Sequence, residues 1–194
     1  AMVLLASVPL GLLIGAAAGL WGGWLDAALM RLADVFLAFP RLILAIAIAA
    51  ALTSGLWTAV IAIALTGWPP YARVARSEMA ALRQAEFIQA AKALGVSRLR
   101  LLLRHALPLC LPSAVVRAAL DAPGIVLIVS GLGFLGLGLP PPAPEWGAMV
   151  AEGRAIVFEA WWVSTLPGVM ILLLSLGFNF LGDALRDVVD PGVK

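Results

Sequence analysis

This chain is short of charge and of most side chains that carry chemistry. Only 12% of its 194 residues are Asp, Glu, Lys or Arg, against about 25% in typical soluble domains. It has one cysteine, Cys110, and one histidine, His105. A lone cysteine excludes an intrachain disulfide and any cysteine-based metal cluster. Cys110 instead reads as a small core residue near a helix start. The chain has no Walker-type lysine motif and is not expected to hydrolyse ATP. It also lacks a GxSxG elbow. Ser130 and His105 fall near opposite membrane faces in the topology derived below, too far apart for nucleophile and base.

What the chain has in excess is apolar sequence. It is 63% hydrophobic with a mean hydropathy of +1.05, and its apolar runs approach the roughly 17–25 residues needed to cross a bilayer. The fold class is therefore all-α and polytopic, with about five transmembrane helices: Met2–Leu20, Asp34–Leu52 with a kink or break at Pro40, Leu56–Tyr71, a span within Leu109–Ser130 interrupted by Pro123-Gly124, and Trp162–Leu181. Met2–Leu20 lacks the basic flank of a signal peptide and reads as a membrane helix. The chain starts inside apolar sequence, as though residues were missing upstream. Trp21, Trp24, Trp57, Trp68, Trp161 and Trp162 sit at run ends, where indoles favour the headgroup level.

Charge sets the orientation. From Arg73 to His105 there are seven Lys/Arg against Glu78 and Glu86, a net +5, whereas the remainder holds six Lys/Arg against nine Asp/Glu. Basic loops stay in the cytoplasm. With residues 73–108 inside, residues 131–161 form an extracytoplasmic or re-entrant Gly/Pro-rich loop, and Arg186–Lys194 lies inside. The pI near 9.2 comes almost wholly from the one loop; it reports topology and membrane lipid contact, with no nucleic acid implied. Residues 1–194 form a single transmembrane domain.

The outer loop opens with Gly131-Leu-Gly133-Phe-Leu-Gly136, which spells GxGxxG. That motif binds dinucleotides only as a strand-to-helix turn. Here an apolar span precedes it and a proline run follows it, so close packing or a non-helical excursion is the better account.

In the inner loop, Phe87, Ile88, Ala91 and Leu94 cluster on one side of a helical wheel, opposite Glu86, Gln89 and Lys92. Gly95 stands where a C-cap glycine would, and Ser97 is placed to cap a second short helix through Arg104, before Leu107-Pro108 introduces the next span. Amphipathic helices of this kind serve either as membrane-surface helices or as docking elements. In the fourth span, Arg117 and Asp121 are four apart. Their spacing allows a mutual ion pair, and charges at this depth face protein or water, as a structural pair or as part of a translocation path.

Gln89-Ala90-Ala91, then Gly95, then Leu107-Pro108 resembles the EAA loop of ABC-importer permeases, with Gln89 at the usual Glu and His105 at the usual Ile. Gly133-Phe-Leu-Gly-Leu-Gly-Leu-Pro-Pro-Pro-Ala-Pro-Glu-Trp-Gly147 resembles the outer-loop signature of peptide/nickel importer permeases, specifically the second, C-type subunit. Phe178-Asn179 through Asp183, Arg186-Asp187 and Asp190-Pro191 resembles its tail, and Gly22-Gly23-Trp24, Met30-Arg31, Asp34 and Phe39-Pro40 its front. The family's first helix would precede Met2. The resemblance implies a type I (MetI-like) permease core that forms half of a pathway for di- or oligopeptides, with nickel or another small solute as the alternative. A channel or secondary carrier outside the family is a further alternative. The resemblance also implies a homologous second permease, two ATP-binding subunits that hold ATP and Mg, and an extracytoplasmic substrate-binding protein, in a bacterial or archaeal inner membrane. Glu86, Gln89, Ala90, Ala91, Gly95, Leu107 and Pro108 then form the ATPase-coupling loop, with Glu86 supplying the acid that Gln89 lacks.

Overall fold

Runs of Ala, Leu, Ile and Val with few charges give helices throughout. A computed structural model describes residues 1–53, 55–140 and 142–189; Pro141 and Asp190-Pro191, which contribute to the resemblance, lie outside the described residues. The elements are α1 (Met2–Trp21), α2 (Gly23–Ala38), α3 (Arg41–Ala51), α4 (Leu56–Leu82), α5 (Glu86–Ala93), α6 (Arg98–Arg100), a π-helical segment (Leu101–Ala106), α7 (Leu107–Phe134), α8 (Trp146–Gly153) and α9 (Trp162–Val189).

Proline has opposite effects at different places. At Pro40 the chain breaks: Phe39 is extended (φ −94°, ψ 141°), as a residue before proline prefers, and the axis turns by 92° between α2 and α3. The expected kink is thus a right-angled elbow, and α3 alone, about 16 Å long, is too short for a ~30 Å hydrocarbon core. Pro69-Pro70, by contrast, lies inside an unbroken α4. Pro112 and Pro123 lie inside α7, so Pro123-Gly124 does not interrupt the fourth span. Neighbouring helices and local π geometry can absorb the hydrogen bonds that proline removes.

α1, α7 and α9 are long and apolar enough to cross a membrane, and the α2/α3 pair adds a fourth crossing if counted as one. The remaining expected span, Leu56–Tyr71, is the first part of α4, whose composition is too mixed to qualify. α4 is instead a central helix, packed by α1, α2, α3 and α7. This position also corrects one tryptophan: Trp68 is mid-helix and 3% exposed, stacked edge-on against Phe36 of α2, while Trp24, Trp57, Trp161 and Trp162 remain exposed.

The α1–α4 contact rests on Gly11, Gly15 and Gly19, spaced four apart. A Cβ at these positions would meet the backbone of Trp68, Ala72 and Arg76, which follow the same spacing on α4. Small residues at this period let two membrane helices approach backbone to backbone. At the outer end, Gly131 and Gly133 are helical, and α7 closes at Gly136 (φ 74°) with Leu137 N–H donating to Leu132 C=O.

Candidate coupling surface and charge cluster

The inner loop is built onto the helices on either side of it. α5 ends as expected at Gly95, which takes φ 78°. Val96 N–H donates to Ala91 C=O (3.1 Å) and Gly95 N–H to Lys92 C=O (3.0 Å), the paired bonds of a Schellman cap. Ser97 Oγ accepts from Arg100 N–H at 3.4 Å and caps the next helix. That helix does not stop at Arg104. It runs through the π segment and through Leu107-Pro108 into α7, because Pro108 falls where the π turns have already loosened the i to i−4 ladder. Ser130 and His105 thus lie on one continuous helical path, roughly 37 Å apart along its axis.

The apolar residues of α5 divide into two rows. Ile88 is 1% exposed and sits with Leu101 and Leu102 in a core cluster made by Leu12, Ala16 and Leu20 of α1, Ala75 and Met79 of α4, and Cys110 and Ala114 of α7; Ala91 and Leu107 pack against it. Phe87 and Leu94 are 50% and 85% exposed. The side of the wheel on which Phe87, Ile88, Ala91 and Leu94 cluster is thus buried along one edge only. Phe87 and Leu94 are seven apart and lie on one row, while Ile88 and Ala91 point about a quarter-turn away, and an eight-residue helix buries only one row. Glu86, Gln89, Ala90 and Pro108 are also exposed. Gln89 Nε2 donates to Arg83 C=O at 2.9 Å, a bond that a carboxylate could not make. Glu86, one turn earlier, is left facing outward in the first turn of α5.

Two ion pairs fasten α2 to the basic half of α4. Arg76 grips Asp26 in a fork, Nε to Oδ1 at 3.0 Å and Nη2 to Oδ2 at 2.6 Å. Arg73 pairs with Asp34 at 2.5 Å.

Asp121 does not pair with Arg117. Its carboxylate accepts Arg41 Nη1 at 2.8 and 3.0 Å and the Tyr71 hydroxyl at 3.0 Å. The elbow at Pro40 aims Arg41, the first residue of α3, at α7; Gly67 makes room, since a Cβ there would strike Arg41 Nη2. Arg117, one turn before Asp121, is exposed and makes no ion pair among the described residues. Sequence reasoning missed both Arg41 and Tyr71. The signal for Arg41 was a lone cation directly after a proline break in an apolar run; nothing local pointed to Tyr71.

Comparison with known proteins agrees with this architecture. Residues 8–194 match the profile of "Binding-protein-dependent transport system inner membrane component". The probable D,D-dipeptide transport system permease protein DdpC of Escherichia coli K12 is 45% identical over 94% of this chain and 61% of its own length. The dipeptide transport system permease protein DppC of Alkalihalophilus pseudofirmus is 44% identical over 95% and 60%. The glutathione transport system permease protein GsiD of Escherichia coli O6:K15:H31 is 43% identical over 100% and 67%. The chain thus spans about three-fifths to two-thirds of the length of these relatives. A chain of the MetNI methionine ABC transporter, solved in an inward-facing conformation, superposes with a TM-score of 0.68 at 20% identity, covering 96% of this chain and 91% of that one, and so shares its fold. On the matched profile and on these identities, the chain belongs to the family of binding-protein-dependent transport system inner membrane components.

Proposed function

We propose that this chain is a permease subunit of an ABC importer for di- and oligopeptides, forming half of the pathway and one coupling contact. The observation that carries the reading is the double character of α5. Its outer row, Phe87 and Leu94 with Glu86 beside them, is exposed on the basic face of the molecule, while its inner row is seated where α1, α4 and α7 meet. Apolar groups presented this way suit a groove on another protein. A push on α5 is passed by Ile88, Leu101 and Leu102 to three helices at once, which is what coupling of a distant ATPase cycle to a membrane gate demands. The energy source is ATP with Mg, held by two partner ATP-binding subunits. A homologous permease completes the pathway, and an extracytoplasmic binding protein delivers substrate. The peptide assignment draws on the relatives, which are named for D,D-dipeptide, dipeptide and glutathione transport.

The test is reconstitution of the full-length protein with its partner permease, ATPases and binding protein in proteoliposomes. Dipeptide uptake driven by ATP, abolished by a Phe87→Asp/Leu94→Asp double substitution that leaves membrane insertion intact, is the expected result. Full uptake by that variant, or absence of any peptide uptake by the wild type, would reject the reading.

A further inference from the structure

The helical stretch that leads into α7 presents charge and apolar surface side by side. Residues 87–120 contain no Asp or Glu, while Arg98, Arg100 and Arg104 crowd the few turns before α7. All three are exposed, and the ion pairs of the described residues, Arg41–Asp121, Arg73–Asp34 and Arg76–Asp26, include none of them. Leu101 and Leu102 are buried in the cluster shared with α1, α4 and α7, which turns Arg100, Arg104, Leu99 and Leu103 to the outside. The helical path runs on through the π segment into α7, a helix long and apolar enough to cross a membrane. The outside surface therefore continues onto the span. Leu111 and Val115, eight and twelve residues after Leu103, are exposed and prolong the row that Leu99 and Leu103 begin.

At Val115 the row meets an apolar groove of about 390 Å³. It lies between Leu4, Leu5, Val8 and Pro9 of α1 and Val115 and Ala118 of α7, and no polar side chain lines it. Val115 is eleven residues beyond Arg104, roughly 16 Å along the helix. One leaflet of a ~30 Å hydrocarbon core is about 15 Å deep. The surface thus offers cations at one end and an apolar groove one acyl depth away, the two halves of an amphiphile. Arg100 and Arg104 are one turn apart, so both reach a single phosphate, which guanidinium groups suit well. A soluble partner docked on α5 could meet the arginines but not a groove that far inside the span. A lipid meets both.

We infer that this edge of the protein binds one anionic phospholipid from the leaflet on the basic-loop side. Its phosphate sits between Arg100 and Arg104, and an acyl chain follows Leu103 and Leu111 into the α1/α7 groove. Leu111 borders the path without lining the groove, and Cys110 is buried, so a Leu111→Cys variant accepts a bimane fluorophore selectively. The full-length protein with its partner subunits is placed in phosphatidylcholine nanodiscs. Phosphatidylglycerol or phosphatidylcholine carrying a doxyl quencher midway along one acyl chain is then titrated in. The phosphatidylglycerol should quench at about one twenty-fifth of the mole fraction that the phosphatidylcholine needs, about fivefold for each of two cations near an anionic group. In Arg100→Gln/Arg104→Gln the two lipids should quench alike, and in Arg100→Lys/Arg104→Lys the preference should persist. Raising the salt to 0.5 M should weaken it. Equal quenching in the wild type would reduce the surface to ordinary lipid solvation and overturn the proposal. So would a preference that survives the glutamine variant, or one that the lysine variant also loses, since that loss would be structural. Absence of quenching by either lipid would mean that protein covers the groove. Loss of the ATP-binding subunits from the glutamine variant in pure phosphatidylcholine would assign the arginines to a protein partner, and either result rejects the lipid site.

Discussion

Asp121 is the residue on which most elements converge, since one carboxylate holds Arg41 of α3 and Tyr71 of α4 from a position on α7. Both charges are largely buried, with Asp121 the more so. Removing one partner of such a pair strands the other charge at a cost of about 3–5 kcal/mol, while replacing both by apolar groups is far milder. Asp121→Ala is therefore expected to lower the thermal stability of the detergent-solubilised complex, and Arg41→Met/Asp121→Leu to recover most of it. A pathway role for Asp121 predicts instead that Asp121→Asn shifts selectivity among peptides of different charge with assembly intact. Differential scanning fluorimetry beside competitive uptake distinguishes the two. The cap residue Gly95 gives a second test at this scale. Its φ of 78° is unfavourable for any β-branched side chain, so Gly95→Val should cost about 1–2 kcal/mol locally and uncouple ATP hydrolysis from transport while insertion persists. Normal coupling ratios in Gly95→Val would remove Gly95 from the coupling device. The cap was legible from the sequence because a Schellman turn is local: a glycine, a spacing and a helix end. The Arg41–Asp121 pair was not, because eighty residues separate its partners and the nearer cation, Arg117, offered a plausible helical spacing that the fold leaves unused.

Among the elements, α1 and α4 form the tightest pairing. Gly11, Gly15 and Gly19 meet the α4 backbone directly, so a side chain there forces the helices apart. Gly15→Leu is expected to break this seam and, through Leu12, Ala16 and Leu20, to loosen the cluster that seats Ile88. Protease sensitivity of the loop 83–98 in membranes should rise, with a loss of stability of about 3 kcal/mol, in the range of overpacking penalties. Unchanged sensitivity would mean that α5 does not depend on α1. The small-residue period was present in the sequence as GxxxGxxxG but is easily taken for mere Ala/Gly richness, since period alone does not say which helix lies opposite. Proline was legible in number but not in effect. Pro40 breaks its helix, with the preceding residue extended and a charged residue following, whereas Pro69, Pro70, Pro112 and Pro123 are carried inside helices by packing that no local rule describes.

For the whole molecule, membership of an inner-membrane family and several apolar helices make this a multi-pass protein of the cytoplasmic membrane. The positive-inside rule predicts its sidedness, with the basic loop in the cytoplasm: Arg73 and Arg76 bind α2 near that loop, and the Glu-bearing α8 follows the other end of α7. Cysteines at Ala143 or Glu152 should react with an impermeant thiol reagent in intact cells, and cysteines at Lys92 or Arg186 only after permeabilisation. Labelling of Lys92→Cys from outside would invert the orientation and end the coupling argument with it.

The path from Arg98 through the π segment to Phe134 has a mechanical meaning. It is one continuous helical path roughly 55 Å long, with the basic loop at one end and Glu145 packed against the other. A tilt of only about 5° at one end would carry the other by roughly 5 Å, about one helical turn. The over-wide π turns lie at the basic-loop end, and Pro112 and Pro123 remove further ladder bonds along α7, so compliance is spread along the path. On the importer reading proposed above, such a lever would trade force for distance: a small, strong displacement at the basic loop would become a large, weak one at the far end of α7.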